Sequence, residues 1–374
     1  MTAEQTGSAS TVAPADVSLD GAAKVEVAGR GPLRQWWVAH PTGAYVIRRF
    51  GIYLLTLWAA ITVTFFFFRL IPGNPIGAYI QNLQQNYAYN ARAGTAIIQH
   101  YKEIFGLDGN LLTQYLHFMR QLVFHLNFGP SLISYPDSAQ SVIGQALPWT
   151  VGLLLLSTLI GWVVGIVAGA LAAWRRDNPV SEAATYVAVA AAHIPFYFVG
   201  LVLLFGLSFR LGWFPSGYAY SSNLNPAFSW SFISSVIYHG ILPALSIVVV
   251  GIFGNLLGMR QQMVTVLGED YLTFARAKGL MPWHILRRYA VPNCYLPQVT
   301  GLLISFGFIF NGNILLEDLF NYPGVGHLLV IAIQQLDLNT VMGITDISIF
   351  VVITAVFVID LILPLLDPRI KYSR

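Results

Sequence analysis

Six long apolar segments constrain this chain more than any other feature of its sequence. They cover residues 50–68, 147–174, 183–209, 237–259, 296–316 and 341–366, and the first five contain no Asp, Glu, Lys or Arg. About 20 apolar residues in a helix cross the roughly 30 Å hydrocarbon core of a bilayer. Backbone that faces lipid has to be helical, because its polar groups find no water there. The sequence therefore predicts an all-α membrane protein with six transmembrane helices.

The composition excludes several other classes of protein. Charged residues make up 10% of the chain, against about 25% in soluble domains, and hydrophobic residues make up 56%. A single cysteine, Cys294, leaves no disulfide framework within the chain and no multi-cysteine metal site. Because the basic residues sit beside the apolar segments, we expect neither nucleic-acid binding nor a metal site.

Basic residues are distributed unevenly between the two sides that six spans would define. The side of both termini carries 15 of the 20 Lys and Arg residues, so the positive-inside rule places both termini in the cytoplasm. We expect residues 1–44 to form a disordered cytoplasmic tail and residues 45–374 to form the transmembrane domain. Within that domain, residues 71–146 form a long extracytoplasmic loop region, in which 104–126 has helical spacing, and 260–296 form the longest cytoplasmic loop.

The cytoplasmic loop contains two predicted short helices. Residues 269–278 are good helix formers, and Gly279 suits the position just after a helix. A second helical stretch begins at Pro282, which suits a first turn. Two short helices with small residues between them form a protrusion that a second protein could approach closely; the alternative is a basic interfacial loop that only fixes topology.

Residues 269–297 resemble the cytoplasmic signature loop, the EAA loop, of ABC importer permeases. That pattern is an EAA-like triplet, three residues, Gly, nine residues and Ile-x-Leu-Pro. Here the triplet is Thr273, Phe274 and Ala275, Gly279 is in place, and the closing element is Tyr-Ala-Val-Pro at 289–292. The Gly and the Pro match, whereas the Glu, the first Ala and the Ile do not.

Further stretches resemble the dipeptide and oligopeptide branch of these permeases. They are ARAKGL at 275–280, LIPGNP at 70–75, LFNYPGVGHLL at 319–329 and LDPRI at 366–370. The resemblance covers roughly residues 45–374, in order. It implies a type I importer bundle with a cytoplasmic coupling helix, in the plasma membrane of a bacterium or an archaeon. It also implies four kinds of partner: the membrane itself, a second homologous permease, two ATP-binding subunits and an extracytoplasmic solute-binding protein.

In that family the first short helix of the loop docks on an ATPase subunit. The residues that would carry ATPase coupling here are Asp270, Ala275, Arg276, Ala277, Lys278 and Gly279, and Arg276 and Lys278 would pair with acidic residues of the ATPase. No lysine of the chain follows a glycine, so no P-loop exists. We therefore expect a transporter subunit that is not an enzyme and holds no cofactor, with ATP and Mg²⁺ on the partner subunits.

The cargo is less constrained than the machinery. The branch is named for peptides, but its members also carry nickel complexes and oligosaccharides. Aromatic residues near the predicted outer interface, among them Trp149, Trp213 and Trp230, suit belt positions and would also suit stacking on sugar rings. Peptides are the expected cargo, with oligosaccharides as the alternative.

Polar and small residues inside the apolar segments are the remaining candidates. Gly161, Gly165 and Gly169 recur on one helix face, which predicts close helix packing, with a flexible gate as the alternative. Asp360 is expected to pair with a basic residue near the cytoplasmic side, and Asp346 to face the entrance or the surface. Together with His193, Asp360 is also the basis of an alternative function, a proton-coupled secondary transporter.

Overall fold

The computed structural model describes residues 41–70, 104–106, 109–309 and 313–366 of the chain. In chain order the helices are α1 Pro41–Leu70, α2 Leu111–His125, α3 Ala139–Trp174, α4 Pro179–Ala191, α5 Phe196–Leu203 with a π-helical continuation Leu204–Arg210, α6 Trp230–Leu267, α7 Asp270–Ala277, α8 Pro282–Ile285 with a π-helical continuation Leu286–Ala290, α9 Val291–Ile309, α10 Ile314–Leu319, α11 Val325–Gln334 and α12 Leu338–Leu366. Within these ranges the only strand-like pairing is one isolated bridge between Pro130 and Ser138. The predicted tail lies outside them except at its end, where α1 begins.

The described helices confirm an all-α membrane protein. Four of them, α1, α3, α6 and α12, are long and apolar enough to cross a bilayer, and the bent pair of α4 with α5 and its π-helical continuation would make a fifth span. The fifth predicted segment, 296–316, overlaps α9, which has 19 residues. The helix α9 is not one of the four helices found long and apolar enough to cross a bilayer. Several predicted boundaries move outward: α1 begins at Pro41 rather than at 50, α3 begins at Ala139 rather than at 147, and α6 covers Trp230–Leu267 rather than 237–259.

The predicted span 183–209 is not one straight helix. It breaks between Ala191 and Phe196, and its two halves meet at 99°. Pro195 lies at the start of α5, where it has no N–H to donate to the preceding turn. The break places His193 on an exposed corner, where its Nδ1 lies 2.7 Å from the carbonyl oxygen of Val189 in its own helix.

The centre of the fold is the pair α3 and α6, which run parallel to each other. Gly161 lies against Gly251, Gly165 against Ile252 and Asn255, and Gly169 against Leu256 and Met259, so both residue numbers rise together. The three predicted packing glycines thus face α6 of the same chain. A methyl group on Gly165 would stand 2.6 Å from Cβ of Asn255 and 2.8 Å from the carbonyl oxygen of Ile252, closer than packed atoms approach.

A second pair, α1 and α12, runs antiparallel. Nη1 of Arg49 lies 2.6 Å from Oδ2 of Asp360, and the hydroxyls of Tyr53 and Thr354 are hydrogen-bonded at 3.0 Å. Further along the pair Asp346 lies beside Thr64 and is only 2% exposed. The expectation that Asp346 faces the entrance or the surface is therefore wrong, because the face of α12 that carries it packs on α1.

The described part of the predicted loop region 71–146 covers one end of the α1 and α12 pair. The helix α2 begins after Asn110, whose side-chain oxygen accepts a hydrogen bond from the backbone N–H of Thr113, a typical N-cap. Its buried Phe118 and Leu122 pack with Phe65 of α1 and Met342 of α12. The helical spacing of 104–126 therefore belongs to a helix that closes the bundle at this end.

Candidate functional site

The candidate site is the pair of short helices α7 and α8, which follow directly on α6. Gly268 ends α6, and α7 begins at Asp270, two residues later. An acidic residue in a first turn is favourable, because it faces the positive end of the helix dipole. The helix ends at Ala277, followed by Lys278 and by Gly279, whose φ of +74° is in the left-handed region. The predicted C-terminal position of Gly279 is thereby explained by backbone geometry.

After Gly279 the chain turns and starts α8, with Pro282 in its first turn as its sequence predicts. A Cβ atom on Gly279 would meet nothing within 4 Å. The glycine is therefore needed for its backbone angle and not for space. This distinction matters for mutation, because a small side chain adds strain there without a collision.

One face of α7 and α8 is buried against the ends of the two central helices. Leu272 and Ala275 of α7 and Ile285 of α8 pack in one apolar cluster with Met259 and Met263 of α6. Ile166 and Ala170 of α3 belong to the same cluster. A displacement of α7 is therefore passed to α3 and α6 by side-chain contact, because a close-packed core has little free volume to absorb it.

The opposite face presents three large apolar side chains to the outside. Phe274 is 68% exposed, Met281 74% and Trp283 62%. Large apolar side chains gathered on a polar loop are typical of a surface that contacts another protein. Reasoning from the sequence missed this group, although the signal is present in it: two aromatic residues and one Met stand among the basic residues of the loop.

The hairpin formed by α7, the turn at Gly279 and α8 also carries the polar residues predicted for coupling on its outside. Asp270, Arg276, Ala277 and Lys278 are exposed, and Ala275 is buried. The Tyr271 hydroxyl donates a long hydrogen bond of 3.4 Å to the carbonyl of Tyr289 and so joins α7 to the chain after α8. Partial burial raises the pKa of Tyr271 above its ordinary value, so the hydroxyl remains a neutral donor.

The two residues on which proton coupling was predicted to depend are not joined. Asp360 pairs with Arg49, and its backbone carbonyl accepts from the hydroxyl of Tyr45. His193 lies close to the carbonyl of Val189. Within the described ranges no interaction links Asp360 to His193. Asp360 instead has the basic partner that its sequence position predicts.

Two buried carboxylates that the sequence did not single out hold the opposite end of the bundle together. Glu317 accepts hydrogen bonds from the hydroxyl of Thr150 at 2.9 Å and from the backbone N–H of Gly326 at 2.7 Å. These bonds tie α10 and the start of α11 to α3. Burial raises the pKa of Glu317 above its ordinary value, and the hydrogen bonds from Thr150 and Gly326 act in the other direction.

The second carboxylate, Asp337, joins the segment before α3 to the start of α12. It accepts from the Ser131 hydroxyl at 2.6 Å, from the backbone N–H of Leu132 at 2.8 Å and from the Thr340 hydroxyl at 2.7 Å. All of these groups come from loop or helix-end positions, so no periodic pattern in the sequence announces them. In the described residues, groups of three or more His, Cys, Asp or Glu that could hold a metal ion are absent.

Comparison with known proteins connects this architecture to a family. Residues 165–372, which include α7 and α8, match the family described as "Binding-protein-dependent transport system inner membrane component". The chain is similar to the dipeptide transport system permease protein DppB of Bacillus subtilis, with 31% identity over 88% of this chain and 98% of the relative. It is also similar to the oligopeptide transport system permease protein AppB of the same organism, with 29% identity over 88% and 99%.

A third relative is the glutathione transport system permease protein GsiC of Escherichia coli, which is 28% identical over 88% of this chain and 99% of its own length. The similarity therefore extends across almost the whole of each relative and across the bundle that α3, α6 and α7 build. The chain belongs to the family of binding-protein-dependent transport system inner membrane components, and it is a permease subunit of an ABC importer.

Proposed function

We propose that this permease imports peptides that an extracytoplasmic binding protein delivers, and that α7 is the coupling helix through which separate ATPase subunits drive it. The observation that carries the proposal is the two-faced packing of α7 and α8. One face is buried against Met259 and Met263 of α6. The other face presents Phe274, Met281 and Trp283 to a partner. An element that transmits force between two proteins needs both faces.

The roles within the hairpin follow from the direction of each side chain. Phe274, Met281 and Trp283 would enter the ATPase, with Lys278 and Asp270 at the rim, where charges set orientation more than affinity. Leu272 and Ala275 would pass the movement to α6 and α3. Gly279 would hold the turn between the two helices. Because the sequence contains no P-loop, ATP and Mg²⁺ would be bound by the partner subunits.

The direction of the helices supports six spans. Because α3 and α6 run parallel, the chain has to return across the membrane between them, and the bent α4 and α5 pair is the segment available for this return. The helix α9, about 28 Å long at 1.5 Å per residue, would be the fifth crossing between α6 and α12. With six crossings both termini and α7 lie on one side, and the distribution of basic residues makes this side the cytoplasm.

Peptide cargo is supported by the relatives, whose names include dipeptides, oligopeptides and glutathione. The proposed location is therefore the plasma membrane of a bacterium, with a second permease of the same kind beside this one. Uptake of a labelled tripeptide and of a labelled trisaccharide by cells that express the system would separate peptide from oligosaccharide transport. Uptake of the sugar alone would overturn the peptide assignment.

Copurification tests the coupling role. The tagged chain, extracted from its native membrane in mild detergent, should bring an ATPase subunit and a second permease. Phe274→Asp should lose the ATPase and keep the second permease, because a charge replaces an apolar contact at the partner surface. Phe228→Asp is the matched control, because Phe228 is also an exposed phenylalanine but lies between α5 and α6, outside the hairpin. Unchanged ATPase recovery with Phe274→Asp would refute the proposed contact.

A further inference from the structure

A cavity of about 550 Å³ lies beside α7, between the ends of the central helices and the turn that follows α3. Its lining combines apolar and charged residues: Trp174, Leu267, Leu280, Arg176, Asp177 and Arg276. The cavity has the size of a small-molecule site, and it lies on the side of α7 that carries Arg276, with Pro282 of α8 in its lining. The contacts proposed for Phe274, Met281 and Trp283 do not use it, although the resemblance would pair one of its lining residues, Arg276, with the ATPase.

The charges around the cavity favour an anionic ligand. Arg176 comes from the turn after α3 and Arg276 from α7, so two basic side chains reach the space from different segments. The one carboxylate in the lining, Asp177, is 98% exposed, and its Oδ1 lies 3.9 Å from Nε of Arg176. An ion pair that long and that exposed to water neutralises little of the arginine charge.

The position of the cavity favours a ligand that belongs to the membrane surface. Two of the helices long enough to span the bilayer end there, α3 at Trp174 and α6 at Leu267, and both of these residues line the cavity. Tryptophan is enriched at the interface between membrane and water. A ligand there would meet arginine side chains together with an indole ring and a Leu side chain.

A partner that covers Phe274 does not fill this space directly. Residues two apart in an α-helix point about 200° away from each other, so Arg276 and Phe274 lie on nearly opposite sides of α7. The side of α7 that carries Phe274 therefore turns away from the cavity. An ATPase that covers Phe274 leaves Arg276 directed toward Arg176 and the end of α3.

We propose that this cavity binds the headgroup of an anionic phospholipid of the cytoplasmic leaflet. Arg176 and Arg276 bond the phosphate oxygens, and Trp174 and Leu267 pack against the glycerol and the first methylene groups of the acyl chains. The bound lipid bridges α3 and α7, so it stabilises the coupling helix against the bundle. This inference rests on the proposed function in one respect, since it takes the end of the bundle that carries α7 as cytoplasmic.

Native mass spectrometry of the purified full chain with added phosphatidylglycerol tests the site. We expect the wild-type chain to retain phosphatidylglycerol more strongly than phosphatidylcholine, and Arg176→Gln to weaken that retention about fivefold, the effect of one basic residue at a charged membrane surface. Arg175→Gln is the matched control: Arg175 is the neighbouring arginine, is also exposed, and does not line the cavity. Its phosphatidylglycerol retention should equal that of the wild type.

Several outcomes would overturn the lipid site. Equal retention by the Arg176→Gln and Arg175→Gln variants would show that the cavity is not the binding position. Equal binding of phosphatidylcholine would remove the role of net charge, and displacement by millimolar inorganic phosphate would identify a soluble anion instead of a lipid. Loss of the ATPase from Arg176→Gln, with lipid retention unchanged, would assign the cavity to the ATPase.

The copurification readout keeps the two proposals separate. Phe274→Asp should lose the ATPase and still retain phosphatidylglycerol, whereas Arg176→Gln should keep the ATPase and lose lipid. Failure of the coupling role would thus appear in the first variant and failure of the lipid site in the second. Equal melting temperatures of the Arg175 and Arg176 variants would confirm that both chains are folded.

Discussion

The close packing of α3 on α6 makes a quantitative prediction about three glycine positions. Gly165→Ala would place a methyl group 2.6 Å from Cβ of Asn255 and 2.8 Å from the carbonyl oxygen of Ile252. On Gly169 the methyl group would meet the carbonyl oxygen of Leu256 directly, with Cβ of Met259 at 2.9 Å. Overpacking of this kind lowers the free energy of unfolding by about 1–3 kcal/mol. The higher helix propensity of alanine raises it by about 1 kcal/mol.

Gly152 of the same helix supplies the control, because a methyl group there meets nothing within 4 Å. Gly152→Ala should therefore raise the stability by up to about 1 kcal/mol, through helix propensity alone. The free energy of unfolding of Gly165→Ala should be about 1–3 kcal/mol lower than that of Gly152→Ala. Gly169→Ala should be the least stable of the three, because the atom nearest to its methyl group belongs to the backbone, whereas the atom nearest to the methyl group on Gly165 belongs to a side chain.

Thermal unfolding of the purified variants in one detergent, followed by circular dichroism, measures this order. The expected midpoints fall in the sequence Gly152→Ala, Gly165→Ala, Gly169→Ala. If Gly165→Ala and Gly152→Ala raise the midpoint equally, α3 and α6 do not approach as closely as the structure indicates. The inference from glycine spacing to helix packing would then be refuted for this pair.

Three further outcomes follow from the described contacts. Gly279→Ala should lower the free energy of unfolding by about 1 kcal/mol, because the φ of Gly279 is +74° while its surroundings are open. This variant should retain coupled ATP hydrolysis in the reconstituted transporter. Gly279→Pro should reach the membrane and lose that coupling, because proline fixes φ near −65°. The Asp360→Asn variant should keep uptake when the proton gradient is collapsed. A double-mutant cycle with Arg49→Gln, measured by unfolding in detergent, should give a coupling energy of about 0.5–1 kcal/mol between the two side chains, because the pair is partly exposed. Asp337→Ala should lower the free energy of unfolding by on the order of 3 kcal/mol, since the Ser131 hydroxyl and the Leu132 N–H lose their buried acceptor. The same variant should speed proteolysis of residues 127–138. A melting temperature equal to that of the wild type would contradict this assignment.

Much of the helical framework could be predicted from the sequence, because helix formation in a membrane depends on local composition. The runs that became α1, α3, α6 and α12 are uncharged or nearly so over about one bilayer thickness or more. The hairpin was predicted from its own residues, with Gly279 after the first helix and Pro282 at the start of the second. Both depend on backbone angles that a glycine or a proline favours by itself.

The bend and the partner faces could not be predicted in the same way. A proline at 195 predicts a kink, but the 99° angle between α4 and α5 depends on what each half packs against. The exposed group of Phe274, Met281 and Trp283 also required the structure. In the sequence these residues look like ordinary members of two short helices and the turn between them, and only the packing of Leu272 and Ile285 on α6 decides which side remains exposed.

The sequence by itself determined that this chain is an all-helical membrane protein of the importer permease family, because apolar length and ordered motifs are local properties of the chain. The tertiary structure decided how those helices face one another. It placed the glycines of α3 against α6, buried Asp346 against α1 and turned Arg276 toward Arg176, away from the side of α7 that Phe274 occupies. The physical reason is that a helix fixes the angle between its own side chains, whereas the direction in which the set points is fixed only when a second helix packs against it.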